Sequence, residues 1–301
     1  MKTMTNNIPE TQEGFKFPAL IEPLDLLARF SWSWAPLLCR SQHGCQEYHR
    51  CWSLVRLIKK EGALPAGLEF FKHHLTDLVD QGRTRVLISG AADTGLLALV
   101  CTIFSIVNAK PEILLMDRCR TTLIQNRILA EYLGLEIETI EGDIRKVDIE
   151  PVDAIIAHSF LTFFVKADRQ DVINAWASIL NPGGKILMSA NIATSEAVKS
   201  PAISDSRIQK AKQELIIAAA ALGMNDSESQ ALGKIAAHNW QKKWAYDPYL
   251  TVENLNSAFS LAGISLDEVT LKENEHLGPF AQFKNVSKKI QRGEIAGTRL
   301  A

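Results

Sequence analysis

The chain has no excess of charge of either sign: 33 Lys and Arg stand against 34 Asp and Glu, a formal net charge of −1. A surface for nucleic acid or an anionic membrane needs a concentration of cations that this balance does not supply. Neither is expected as a partner. The one basic cluster, Lys284, Lys288, Lys289 and Arg292, is short and interrupted, and reads as solvated surface. Long apolar runs are missing too. The longest, Leu96 to Val107, falls short of the ~20 residues that span a bilayer and suits a helix buried on every side. The opening segment, Met1 to Gly14, is polar, carries Glu10 and Glu13, and lacks the apolar stretch of an export signal. Cysteine is sparse and odd in number, with five (Cys39, Cys45, Cys51, Cys101, Cys119). Free thiols in a reducing compartment fit that count better than a disulfide framework. A cytoplasmic protein is expected. No repeat or low-complexity stretch interrupts the chain.

What is present is core material. With 301 residues, 47% of them hydrophobic, the chain can bury one large core and still carry a smaller lobe. Tyr48, Cys51, Trp52, Val55 and Ile58 recur at helical spacing, and a second helical stretch covers Leu68 to Val79. The character changes at Arg83. Strands are predicted at 85–89, 112–116, 135–140, 152–157 and 185–189, separated by helices at 95–107, 121–133 and 169–180. Such alternation implies a doubly wound α/β sheet, mostly parallel, with helices on both faces. Helices return at 206–222, 227–242 and 252–261, followed by an antiparallel strand pair at 265–272 and 280–286. The expected organisation is a tail and helical cap (1–82), an α/β core (83–190), a helical insertion with the last core helix (191–262), and final strands (263–301).

Ligands of open α/β sheets bind beyond the carboxyl ends of the strands, so the residues just after each strand matter most. After the first comes Gly90-Ala91-Ala92-Asp93-Thr94-Gly95, a glycine turn that lets a ligand approach the backbone and a helix N-terminus. A dinucleotide fold wants glycine where Ala92 stands, and Asp93 would repel a diphosphate. S-adenosylmethionine carries no phosphate, only a sulfonium and an ammonium, and a nearby carboxylate suits it; Asp93 can equally serve as a plain helix cap. Asp117 follows the second strand, where an acid accepts hydrogen bonds from ribose hydroxyls. Gly142-Asp143-Ile144 follows the third, offering an acid for an adenine amine and an apolar cover for the ring. Asn181-Pro182-Gly183-Gly184 stops a helix and turns sharply into the fifth strand.

These four features in this order resemble the core of the class I S-adenosylmethionine-dependent methyltransferases, over about residues 83–190, with a looser match from 252 to 290. The resemblance implies a Rossmann-like methyltransferase sheet with S-adenosylmethionine as cofactor. It places Gly90, Ala91, Asp93 and Gly95 at the methionine end, Asp117 and Arg118 at the ribose, and Asp143 and Ile144 at the adenine. Two departures stand out. Ser89 occupies the position before the first glycine where that family usually has an acid, and the glycine turn is one residue longer.

The residues after the fourth strand, His158-Ser159-Phe160, would lie beside the departing methyl group. That family's enzymes acting on base amines or glutamine often carry Asn/Asp-Pro-Pro-aromatic here; this chain does not, which disfavours those substrates. His158 has a side chain suited to proton removal near neutral pH, or it orients backbone or cofactor. Aromatic residues in the added helices, Tyr48, Trp52, Trp240, Trp244 and Tyr246, together with Phe160, are candidate walls of a small-molecule pocket. A small organic substrate is expected, and a homodimer is compatible with the composition. Cys39, Cys45 and Cys51, near His43 and His49, are spaced to face apart if they share one helix, so no metal is expected. The competing readings are an NAD(P)-dependent oxidoreductase and a non-catalytic scaffold on the same fold.

Overall fold

A computed structural model describes residues 22–59, 67–195, 204–241, 250–272 and 289–301. Helices α1 (Leu24–Leu38), α2 (Gln46–Lys59) and α3 (Leu68–Val79) come first. The core follows as β1 (Arg85–Ser89), α4 (Gly95–Ile106), β2 (Glu112–Asp117), α5 (Arg120–Tyr132), β3 (Ile137–Glu141), β4 (Val152–His158), α6 (Arg169–Ser178) and β5 (Leu180–Ala193). Then come α7 (Asp205–Ala221), α8 (Asp226–Gln241), α9 (Val252–Leu261), β6 (Ile264–Lys272) and β7 (Ile290–Arg299).

Strands built wholly of apolar residues must be covered on both faces. In β1, Val86 and Ile88 point into one buried cluster and Leu87 into another. In β2, Ile113 and Leu115 are likewise separated from Leu114 and Met116. The first layer is α4, buried along most of its length, backed by Phe70, Phe71, Leu75 and Leu78 of α3. The second is anchored by Trp176 of α6 and Phe259 of α9, both without solvent exposure. The seven strands run in the order β3-β2-β1-β4-β5-β7-β6, the first five mutually parallel and β7 antiparallel to both its neighbours. Winding reverses between β1 and β4, which opens a crevice at their carboxyl ends.

Two expectations need correction. Asn181-Pro182-Gly183-Gly184 does not precede β5 but forms an irregularity within it: Val152 pairs with Leu180, and Ala154 already pairs with Lys185. Gly183 has φ +72°, and a Cβ on Gly184 would lie 2.8 Å from the Asn181 carbonyl, so glycine is needed at both positions. The last strand begins at Ile290, while the stretch 280–286 expected to form it lies outside the described residues. Gly293, Glu294 and Gly297 hid this strand, because they break the apolar run that marks a buried one.

The added helices pack together. Ala28 and Trp32 of α1 and Cys51 and Leu54 of α2 share a cluster with Ala219, Met224 and Leu232 from the α7–α8 region. The early and late helical segments thus form one cap. Among the described residues no helix is long and apolar enough to cross a membrane.

Close packing of α9 against the sheet yields a test. A Cβ added at Gly297 would meet the Phe259 ring at 2.8 Å. Gly297→Ala should therefore lower stability by about 1–3 kcal/mol in urea unfolding, and an unchanged midpoint would contradict this contact.

Candidate active site at the carboxyl ends of the strands

Two turns meet at the crevice. Gly90 turns the chain out of β1 with φ +77°, and its amide donates to the Met116 carbonyl at 2.9 Å. Asp117, at the end of β2, receives the Ala91 amide on one carboxylate oxygen (3.0 Å) and the Cys119 amide on the other (2.7 Å). Each oxygen keeps a further lone pair, so the acid can still accept from a ligand's hydroxyls. Burial raises its carboxyl above the ordinary value, while the charge of His49 and the two amides oppose that rise.

Asp93 lies behind the turn. One carboxylate oxygen accepts from the Gly95 amide at 2.8 Å, and the other lies 2.6 Å from Nε of Arg56, a residue of α2 only 4% exposed. Arg56 also pairs with Glu22, which in turn accepts from the Thr94 hydroxyl. The carboxylate offered by the sequence to a sulfonium is thus already matched with a cation. Sequence reasoning missed Arg56, since an arginine on an amphipathic helix usually lies in solvent. Asp143 is similarly engaged: Arg145 lies 2.6 Å from it and holds its carboxyl below the usual range. Ile144 beside it is buried and Arg118 is exposed.

Beyond β4 the chain takes an unusual path. Ser159 has φ +54°, a left-handed conformation that costs a serine ~1–2 kcal/mol. Its hydroxyl accepts from Arg292 Nη1 at 3.2 Å. Arg292 Nη2 also donates to the Ser189 hydroxyl at 2.7 Å and lies 2.8 Å from His158 Nδ1, which the Ser189 hydroxyl approaches at 3.0 Å. The same Nη2 lies 3.0 Å from His158 Nε2, but a neutral imidazole accepts on only one nitrogen. The shorter contact and the serine both mark Nδ1 as that acceptor, leaving the proton on Nε2. Burial, then the Arg292 charge, lowers the His158 pKa well below its ordinary value. The expectation that Arg292 is solvated surface is therefore wrong. Its neighbours Lys284 and Lys288 lie outside the described residues, and Lys289 is exposed. Burial lowers the pKa of Arg292 itself to about 10, and among the described residues it has no carboxylate in ion-pair contact.

Aromatic residues close the crevice. Phe160 lies over the glycine turn, where a Cβ on Gly90 would meet its ring at 2.1 Å, and it stacks on Trp176. The Trp176 indole donates to the hydroxyl of buried Ser89 at 2.9 Å, so a tryptophan partners the position where an acid was expected. From the cap, Tyr48 stacks on Trp52 and meets Phe163 edge-on, with ring centroids 5.7 and 6.3 Å away. Burial, and after it the charges of Asp93 and Asp117, raise the Tyr48 phenol above its ordinary value. The Trp240 side chain, Trp244 and Tyr246 lie outside the described residues. The cysteines do not share one helix: α1 ends at Leu38 and α2 starts at Gln46, so Cys39 and Cys45 converge while Cys51 turns toward Asn239.

Strand order, with a glycine turn after β1 and an acid after β2, gives a Rossmann-like sheet closed by an antiparallel pair, a fold shared with solved methyltransferase structures. Known proteins bear out that fold. No family model matches the chain. A stretch of 97 residues is 33% identical to carboxy-S-adenosyl-L-methionine synthase of Klebsiella pneumoniae, covering 32% of this chain and 36% of that protein. The Salmonella paratyphi C synthase is 30% identical over 97 residues. The match thus spans little more than a third of these relatives' length, 36% in both. Among solved structures, a geranyl diphosphate methyltransferase in complex with GPP and sinefungin superposes with a TM-score of 0.51 at 12% identity, covering 78% of this chain and 77% of that one. Geranyl diphosphate C-methyltransferase from Streptomyces coelicolor gives 0.50 at 10%, covering 78% and 79%. At such identities the likeness is one of fold.

Arg56→Ala should cost about 3–5 kcal/mol, because it leaves buried carboxylates unpaired. Adding Asp93→Asn should recover part of this, since an amide oxygen still caps Gly95; if denaturant unfolding shows no recovery, the Arg56–Asp93 pairing is not the source of the loss. The depressed His158 pKa also has a sign. The unfolded chain binds a proton below pH ~6.5 and the folded chain does not, so this stabilisation is complete above that pH. It is lost as pH falls toward the lower folded-state value. The stability difference between wild type and His158→Gln should shrink on acidification below that point, and parallel curves would remove His158 from the account.

Proposed function

We propose that the protein binds S-adenosylmethionine at the β1–β4 crevice and transfers its methyl group to a small organic acceptor carrying an anionic group. The observation that carries the reading is Asp117, which joins the glycine turn to the end of β2 in a sheet of this strand order and keeps lone pairs for a ribose. The residues fit a nucleoside there: Asp117 for the hydroxyls, Asp143 and Ile144 for the base, and the Gly90–Gly95 turn for the remainder once the Phe160 ring swings aside. Bound in this way, the cofactor supplies an electrophilic methyl carbon and a neutral leaving group. The protein's task is then to align the acceptor and exclude water.

His158 supports alignment better than proton removal. Its Nδ1 already receives a donor backed by the Arg292 charge, so with the proton on Nε2 the ring has no free lone pair to take another. Arg292, a cation with no carboxylate partner among the described residues, favours an acceptor bearing a carboxylate or phosphate. Structural neighbours named for geranyl diphosphate methylation are consistent with an anionic acceptor. The same cation would equally hold a carboxylate carried on the sulfonium, the chemistry in the name of the curated relatives. The oxidoreductase alternative lacks support, because Ala92 replaces the glycine needed beside a diphosphate.

Calorimetric titration with S-adenosylhomocysteine and, separately, NADH tests the reading. The homocysteine compound should bind, and Asp117→Ala should weaken it by about 1–3 kcal/mol. Binding of NADH alone would overturn the proposal. Methyl-labelled S-adenosylmethionine would then show whether label passes to an acceptor or stays on the sulfonium.

A further inference from the structure

The cap and the core meet at a cluster that methyl transfer does not use. Cys39 follows the last residue of α1. Gly44, with φ +61°, turns the chain back so that Cys45 stands just before α2 and His49 lies in its first turn. Cys119 comes from the other side of the crevice, at the start of α5 and two residues after Asp117. One donor atom from each of these four residues lies within 4.8 Å of every other, and all but Cys45 are buried.

The distances discriminate between explanations. Cys39 Sγ is 3.3 Å from Cys119 Sγ, too long for a disulfide, whose sulfurs lie ~2.05 Å apart. Cys39 Sγ is 3.6 Å from His49 Nδ1. Zinc bonds of ~2.3 Å to sulfur and ~2.0–2.1 Å to nitrogen, at tetrahedral angles, put sulfurs roughly 3.8 Å apart and sulfur roughly 3.5 Å from nitrogen. These two separations are therefore within about half an ångström of the edges of a tetrahedral shell, and the remaining pairs lie within 4.8 Å. The Thr121 hydroxyl, fully buried and 3.1 Å from Cys39 Sγ, supplies the outer hydrogen bond that a bound thiolate needs. Thiols are weak hydrogen-bond partners for one another, and three of them with an imidazole have little reason to be gathered inside a protein other than to share an ion.

We propose that Cys39, Cys45, Cys119 and His49 Nδ1 form a closed, four-coordinate zinc site. Three sulfurs and an imidazole suit zinc by softness and number, and no position remains open for substrate. On binding, the thiols and the imidazolium give up their protons to solvent, leaving three thiolates and a neutral imidazole with its remaining proton on Nε2. The site is structural. It fastens the α1–α2 corner to the β2–α5 turn, so Tyr48, adjacent to His49, and Asp117, two residues from Cys119, are held in register across the mouth. This proposal does not depend on the reaction performed.

The test uses the full chain, reduced and freed of metal, titrated with cobalt and then with zinc. Wild type should bind one cobalt per chain with the visible bands of a tetrahedral thiolate complex, and zinc should displace it. Zinc should also raise the melting temperature of wild type. Cys39→Ser and Cys119→Ser should weaken binding at least about 100-fold, the upper end of what outer-shell partners alone contribute. Cys101→Ser, in α4 and outside the cluster, should bind as wild type does. Reduced wild type lacking tetrahedral cobalt bands would overturn the proposal, as would Cys119→Ser binding with unchanged affinity. So would a Cys39–Cys119 disulfide that persists in reductant. The wild-type titration stands by itself should a cysteine variant fail to fold.

Discussion

A carboxylate taken out of water must be surrounded by donors or give up its charge, and Asp117 meets this need with the amides of Ala91 and Cys119. That pair of hydrogen bonds ties the glycine turn after β1 to the turn after β2. Past the last ladder bond between them, from the Gly90 amide to the Met116 carbonyl, the acid substitutes for the sheet where the sheet ends. The crevice can then remain open to a ligand without leaving its backbone amides unsatisfied.

The same logic extends outward to the cap. Arg56 reaches from α2 into the core to meet Asp93 and, from before α1, Glu22, so that one cation serves two carboxylates. Gln125 of α5 donates to the Leu27 carbonyl and the Ser53 hydroxyl, adding a neutral tie at 3.0 and 3.1 Å. Polar groups therefore join cap to core beside apolar contacts, such as that of Leu27 with the core and of Ala35 and Cys39 with Cys119. Such a seam is specific in register.

The core was legible in the sequence because its strands are continuous apolar runs separated by helices of more than two turns. Asp117 and Gly90 could be placed for the same reason: they end or follow such runs. Legibility failed where function depends on pairing across long separations. Arg292 lies 134 residues from His158, on a strand whose glycines and glutamate disguise it, and its cluster of basic neighbours pointed to solvent. Cys39 and Cys45 were read along a single helix that the chain does not form. Cys119 completes their group from beyond β2. A signal was present, a cysteine two residues after the strand-ending acid, but spacing along the chain could not connect it to residues 80 and 74 positions earlier.

The region after β4 shows why these distant pairings matter. Ser159 is held in a left-handed conformation, and half-buried Arg292 has only neutral acceptors in hydrogen-bond contact among the described residues. Both arrangements oppose stability, and strained or uncompensated groups of this kind gather where a ligand completes them. His158 is the natural member of such a set to remain neutral, since a second positive charge beside Arg292 would raise the cost further. The crevice thus presents a fixed cation, a neutral donor and a buried acid within one edge of the sheet. A ligand with a nucleoside at one end and an anion at the other would satisfy all three at once, and a neutral or diphosphate-centred ligand would not.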